Sequence, residues 1–165
     1  MPSNWYDSAR TMLEGNPELA GRILRELLKI DLPPVIQYTV LTPFCSTDPY
    51  GDDSGADDLC DESPPGDDSP DEPVPEMVIL AGPVSEPVRA VVVEFLRDRQ
   101  DAMRRQWPLH LAAVWLAHEC PVDLLVFCPD ELTARWADRP IATSLDGYVC
   151  RPEILVLEDL GNIAS

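Results

Sequence analysis

Lysine is nearly missing from this chain: Lys29 stands alone, and the other eleven cations are arginines. Thirty acids outnumber them, for a formal net charge of -18. No stripe of Lys and Arg suited to a phosphate backbone is present, which disfavours tight nucleic-acid binding by this chain alone. Long hydrophobic runs are missing too. No stretch of about eighteen apolar residues occurs, so no membrane span is expected. The opening Met1-Pro2-Ser3-Asn4-Trp5 lacks the basic-then-apolar layout of a signal peptide. The five cysteines (Cys45, Cys60, Cys120, Cys128, Cys150) are odd in number and contain no Cys-x-x-Cys. Together these features predict a cytoplasmic protein with reduced thiols, most of them serving as small buried apolar groups. Histidine is scarce as well. His110 and His118, eight residues apart with no third ligand at useful spacing, are expected as surface or partly buried side chains rather than metal ligands.

The acidity that is present is concentrated. Between Asp48 and Glu72 there are eleven acids and no Lys or Arg; the remaining residues hold 12 cations against 19 acids, a balance of −7. Residues 46–75 are also the densest in Pro, Gly, Ser and Asp. A segment with so few apolar side chains cannot offset its ordering entropy, which predicts a disordered acidic loop. Asp52-Asp53 and Asp57-Asp58 lack the alternating acid spacing of a calcium loop and read as solvated charge. The same composition suits an acidic docking segment for a protein partner with a basic surface.

The rest of the chain reads as a single α/β domain spanning 1–165. Its centre is Val88 to Leu96, six of whose nine residues are aliphatic, four of them valine. Such a run predicts a strand covered on both faces. Glu94 interrupts it near the carboxyl end, where a charge must be paired, metal-bound or at the rim. Glu76 to Ala81 is a second apolar run opening on an acid, and Gly82-Pro83 begins the turn between them. Upstream, helices are expected over 4–14 (Trp5, Ala9, Met12 and Leu13 as stripe) and from Asn16, with Asn16 as cap and Pro17 at the first helical position. Leu19, Ile23, Leu27 and Ile30 form that second stripe. Residues 35–41 read as a strand. Downstream, a helix is expected over 98–119, with Trp107, Leu111, Val114 and Trp115 on its buried face and Ala112 and Leu116 widening it. A strand over 122–128 then implies a parallel crossover from the central hairpin. A short helix over 131–137 and an edge strand over 153–158 complete the expectation.

A hairpin with one acid on each strand, followed by a helix and a parallel strand, resembles the core of the PD-(D/E)XK nucleases. More specifically, Val88 to Leu157 resembles small actinobacterial proteins grouped with the recombination-promoting nuclease and putative transposase (YhgA-like) family. The matching pieces are Ala90 to Glu94, Trp107-Pro108-Leu109, Cys120-Pro121, Leu124 to Val126, Cys128-Pro129-Asp130, Trp136 and Pro140-Ile141. The resemblance implies a restriction-endonuclease-like core, a mixed central sheet flanked by helices. It also implies a site. Glu76 falls where the family's first metal-binding acid stands, and Glu94 where its second stands. These two, with the Phe95 carbonyl, are the implied Mg²⁺ ligands. The third member, Lys or Gln in the family, is Leu96 here. Leucine can neither position an attacking water nor stabilise phosphate charge. Arg99 and Arg104, on the following helix, could supply a cation in its place.

The expectation drawn from this pattern is a nuclease-like domain with a degenerate site, catalytically inactive, binding Mg²⁺ weakly at most, and acting through protein–protein binding. The competing expectation is an active Mg²⁺-dependent DNA endonuclease, the one case in which nucleic acid would be a partner. Two unscreened neighbouring carboxylates should also push at least one of Glu76 and Glu94 up in pKa. The sequence leaves the oligomeric state open.

Overall fold

Successive valines of the central run point in opposite directions, and each direction meets a different layer of helices. This computed structural model describes residues 5–27, 29, 31, 37–41 and 75–164. Among them, β1 (Tyr38–Leu41), β2 (Met77–Ala81), β3 (Arg89–Phe95) and β4 (Val122–Cys128) lie side by side. A fifth strand at the far edge, Glu153–Val156, completes the sheet. The first three strands pair antiparallel, whereas β3, β4 and the Glu153 strand run parallel. The mixed central sheet expected from the sequence is therefore present, with the predicted crossover between β3 and β4 and the predicted edge strand.

The crossover is α3 (Asp101–His118), a single helix running through Pro108. It ends at Glu119, whose backbone is left-handed at φ 51° and whose N–H donates to the Trp115 carbonyl at 2.7 Å. Pro121, two residues further on, cannot continue the helix, so the chain turns into β4. After β4, Asp130 caps α4 (Glu131–Ala137) by accepting from the Thr133 N–H at 2.8 Å. A small hairpin of β5 (Ile141–Ala142) and β6 (Val149–Cys150) follows, which the sequence reading did not predict. The edge strand is thus β7. It stops at Val156 rather than reaching residue 158, and a final helix, α5 (Leu157–Ala164), takes over. The acids Glu158 and Asp159 in its first turn favour a helix start there.

Odd-numbered residues of the central strands (Met77, Ile79, Val91, Val93, Phe95, Leu125, Phe127) pack against α1 (Trp5–Gly15), α2 (Pro17–Glu26) and α5. Phe95 and Phe127 stack with centroids 5.0 Å apart. Even-numbered residues (Val78, Leu80, Val92, Leu124, Val126) pack against α3, α4 and the hairpin. Two-sided burial explains the continuous valine run, since each such side chain withdrawn from water contributes about 1.5–3 kcal/mol. In α2 the expected cap is present: Asn16 Oδ1 accepts from the Leu19 N–H at 3.2 Å.

Two helical stripes are corrected. In α1 the buried residues are Tyr6, Ala9 and Leu13, while Met12 faces solvent. In α3 they are Trp107, His110, Leu111 and Val114; Ala112, Trp115 and Leu116, expected on the buried side, are exposed. The β2–β3 turn needs its glycine. Gly82 adopts φ 105°, and a Cβ there would stand 3.2 Å from the Val88 nitrogen. Residues 35–36 of the first predicted strand and all of the predicted acidic loop except Pro75, which is buried, lie outside the described residues. No described helix is long and apolar enough to cross a membrane.

Candidate functional site

The β2–β3 register decides where Glu76 and Glu94 stand. Met77 pairs with Val93 at the end of the β2–β3 ladder, and Glu76 and Glu94 are the residues that follow this pair on the two strands. Their side chains nevertheless have different partners. Glu94 shares the parity of Val92 and points into the layer between the sheet and α3. There its Oε1 lies 2.6 Å from His110 Nδ1. Both groups are sealed: Glu94 is 1% exposed and His110 is 4% exposed. One proton must lie between oxygen and nitrogen for this contact to be favourable.

Burial is the main influence on Glu94, pushing its pKa above the ordinary carboxylate value. The hydrogen bond and charge of His110 act in the opposite direction, and the charge of Glu76 adds a smaller upward push. The expected elevation is therefore present, but its chief cause is desolvation and not the neighbouring acid.

Glu76 sits at the sheet's edge of burial, where the Tyr6 hydroxyl of α1 donates to its Oε2. Burial, followed by this bond and the Glu76 charge, raises the Tyr6 phenol to about 12. The Tyr6 ring meets Phe95 edge-on at 5.2 Å and lies under the Arg97 guanidinium at 4.4 Å. Beside Tyr6, a cleft of about 260 Å³ at the carboxyl end of β3 is lined by Glu76, Phe95, Arg97, Asp98, Gln100 and Met103. Glu94 does not line it. The two acids thus follow the same ladder pair but are divided by their surroundings.

Leu96 is fully buried and belongs to the same apolar cluster as Trp107 and Val126. Arg104 is committed elsewhere: its Nη2 donates to the Arg139 carbonyl, and its guanidinium lies over Trp136 at 5.8 Å. Arg99 is exposed and its charge acts on Asp130, the cap of α4. Neither arginine has a described contact with Glu76 or Glu94.

His110 is the residue that the sequence reading misplaced. It was expected at or near the surface, and only the half-buried His118 fits that description. A signal existed: His110 lies three residues from Trp107 and four from Val114, on the buried stripe of α3. Cys120, Cys128 and Cys150 are buried and free, as expected. Burial raises the thiol of Cys128 to about 12 and that of Cys150 to about 11, which leaves both inert at neutral pH. Among the described residues, no group of three or more His, Cys, Asp and Glu side chains could hold a metal ion. A cation shared by Glu76 and Glu94 would have to draw Glu94 away from His110 and out of an apolar layer. As placed, the pair does not fit Mg²⁺. In comparisons with known proteins, no family model matches the chain, and neither does any curated protein or solved structure.

Proposed function

We propose that this chain is a non-hydrolytic binding domain on a nuclease-like scaffold, a restriction-endonuclease-like core whose metal site has become part of the protein interior. One observation carries the reading: the acid at the second metal position is sealed against His110, in the same buried layer as Leu96. Hydrolysis of a phosphodiester needs an accessible carboxylate, an activated water and a cation for the developing charge. Glu94 is inaccessible, Leu96 supplies no charge, and Arg104 is held by Arg139. The domain would then act through protein–protein binding. Its eleven-acid segment between Asp48 and Glu72 suits a partner with a basic surface.

Two measurements test this. Purified protein with excess Mg²⁺ or Mn²⁺ is expected to leave plasmid and single-stranded DNA intact. An arginine-rich synthetic peptide is expected to bind the full chain in the presence of EDTA, and to bind a chain lacking residues 46–74 far less. The second reading, a Mg²⁺-dependent endonuclease, draws on the positions of Glu76 and Glu94 at the end of one ladder and on the open cleft beside Glu76. Metal-dependent cleavage that disappears in Glu94→Ala would favour it and sink the first.

A further inference from the structure

Among the described residues, nothing packs against the outer face of α3. With Trp107, His110, Leu111 and Val114 turned to the sheet, every exposed residue from Leu109 to Ala117 is apolar. These are Leu109, Ala112, Ala113, Trp115, Leu116 and Ala117. Leu116 is 74% exposed, Trp115 57% and Leu109 53%. Isolated exposed leucines are ordinary on a protein surface, but a continuous stripe is not. Leu109, Ala112, Ala113 and Leu116 stand at i, i+3, i+4 and i+7, the spacing of a helix seam.

Charge selects the occupant. Arg105 is exposed just before the stripe and Glu119 just after it, and neither has a described ion-pair partner. Two copies of α3 laid antiparallel about a two-fold axis between Ala112 and Ala113 bring Leu109 of one copy against Leu116 of the other. Arg105 of each copy then falls within one residue of the level of Glu119 of the other. The small alanines at the centre let the helices approach closely. The arrangement is self-complementary, as an isologous interface requires. A parallel pairing would set Arg105 against Arg105 and Glu119 against Glu119, like charges at both ends.

We propose that this chain forms a two-fold homodimer through the outer face of α3, with the two helices antiparallel and Arg105 of each copy paired with Glu119 of the other. The inference concerns a surface remote from Glu94 and stands independently of the functional reading above.

Sedimentation velocity and native mass spectrometry of the full chain over a range of micromolar concentrations test it. The wild type is expected to dimerise. Leu116→Glu changes a side chain with almost no role in the monomer's core, so the fold is expected to survive by circular dichroism. Its self-association should weaken by roughly a hundredfold, the scale of losing a central interface residue. Arg105→Glu and Glu119→Arg should each weaken the dimer, and the double reversal should restore it. A wild-type chain that stays monomeric overturns the proposal, as does a dimer indifferent to Leu116→Glu. So does a monomer whose α3 face takes up an apolar helix from a different protein. Failure of the double reversal to restore association overturns the antiparallel pairing.

Discussion

Glu94 of β3 and His110 of α3 meet at 2.6 Å within a layer otherwise built from apolar side chains and cysteines, Trp107 the largest of them. The contact fixes the helix to the sheet by a directional bond where the surrounding contacts are non-directional. It also places a proton-sharing pair where water cannot compensate either partner. Removing one side should therefore cost more than removing both. Glu94→Met or His110→Leu alone is expected to destabilise the fold by about 3 kcal/mol. Glu94→Met combined with His110→Leu is expected to recover most of that loss. Urea unfolding of the four proteins gives the coupling directly. Additive losses would show that the pair has no structural partnership.

The same burial gives a pH dependence. The ordinary value for Glu94 is 4.5, and the fold raises it, chiefly by desolvation. The folded state then binds the proton more tightly than the unfolded chain does. The stabilising contribution is fully present below 4.5 and is lost as pH rises through the folded value. Glu94→Gln removes that titration. Subtracting its stability profile from the wild type's should leave a curve that declines with rising pH above 4.5. A flat difference curve would mean that Glu94 has the same affinity for its proton in both states.

Leu96→Lys tests the proposed nuclease-like reading by placing a cation where the resemblance expects Lys or Gln. Leu96 is fully enclosed beside Trp107, so a lysine there must either bury its ammonium group or push α3 aside. A loss of more than about 3 kcal/mol is expected, with no gain of Mg²⁺-dependent cleavage. Thermal unfolding and a plasmid-nicking assay check the two halves. A stable variant that cuts DNA would show that the layer opens more readily than its packing implies.

Arg89, at the start of β3, holds Asp123 near the start of β4 with two hydrogen bonds, one of them 3.1 Å from Nη2 to Oδ1. The bond to Asp123 raises the arginine's pKa. Both side chains are about a quarter to a third exposed, so solvent screening limits the gain. Arg89→Ala is expected to cost about 1 kcal/mol, less in high salt. A loss unaffected by salt would assign the effect to packing of the arginine stem.

What could be read from the sequence follows from the range of the interactions involved. The valine run, the Asn16-Pro17 cap and the break at Cys120-Pro121 are local signals, and the structure places strand, cap and break there. The parallel crossover followed from the length between two confident strands. The face of α3 did not, because Trp107 and Trp115 are both large and apolar. Only packing against the sheet decides which of them is inside. The Glu94–His110 contact was hidden for a related reason. The two residues are sixteen positions apart, and they meet only once β3 and α3 are docked. The two-residue strands β5 and β6 carry too little periodicity to register.

The pairing of Leu41 with Val78 has a consequence for how this protein can vary. Leu41 and Val78 stand on one rung of an antiparallel pair, so the fold itself holds together the two points between which the intervening segment runs. For a connecting loop, the closure penalty rises only with the logarithm of length, about 0.6 kcal/mol per doubling. Lengthening, shortening or rewriting residues 46–74 should therefore barely move the unfolding midpoint of the domain. The scaffold tolerates whatever is spliced in at that rung, which leaves the acidic segment free to change at a pace the sheet could not survive.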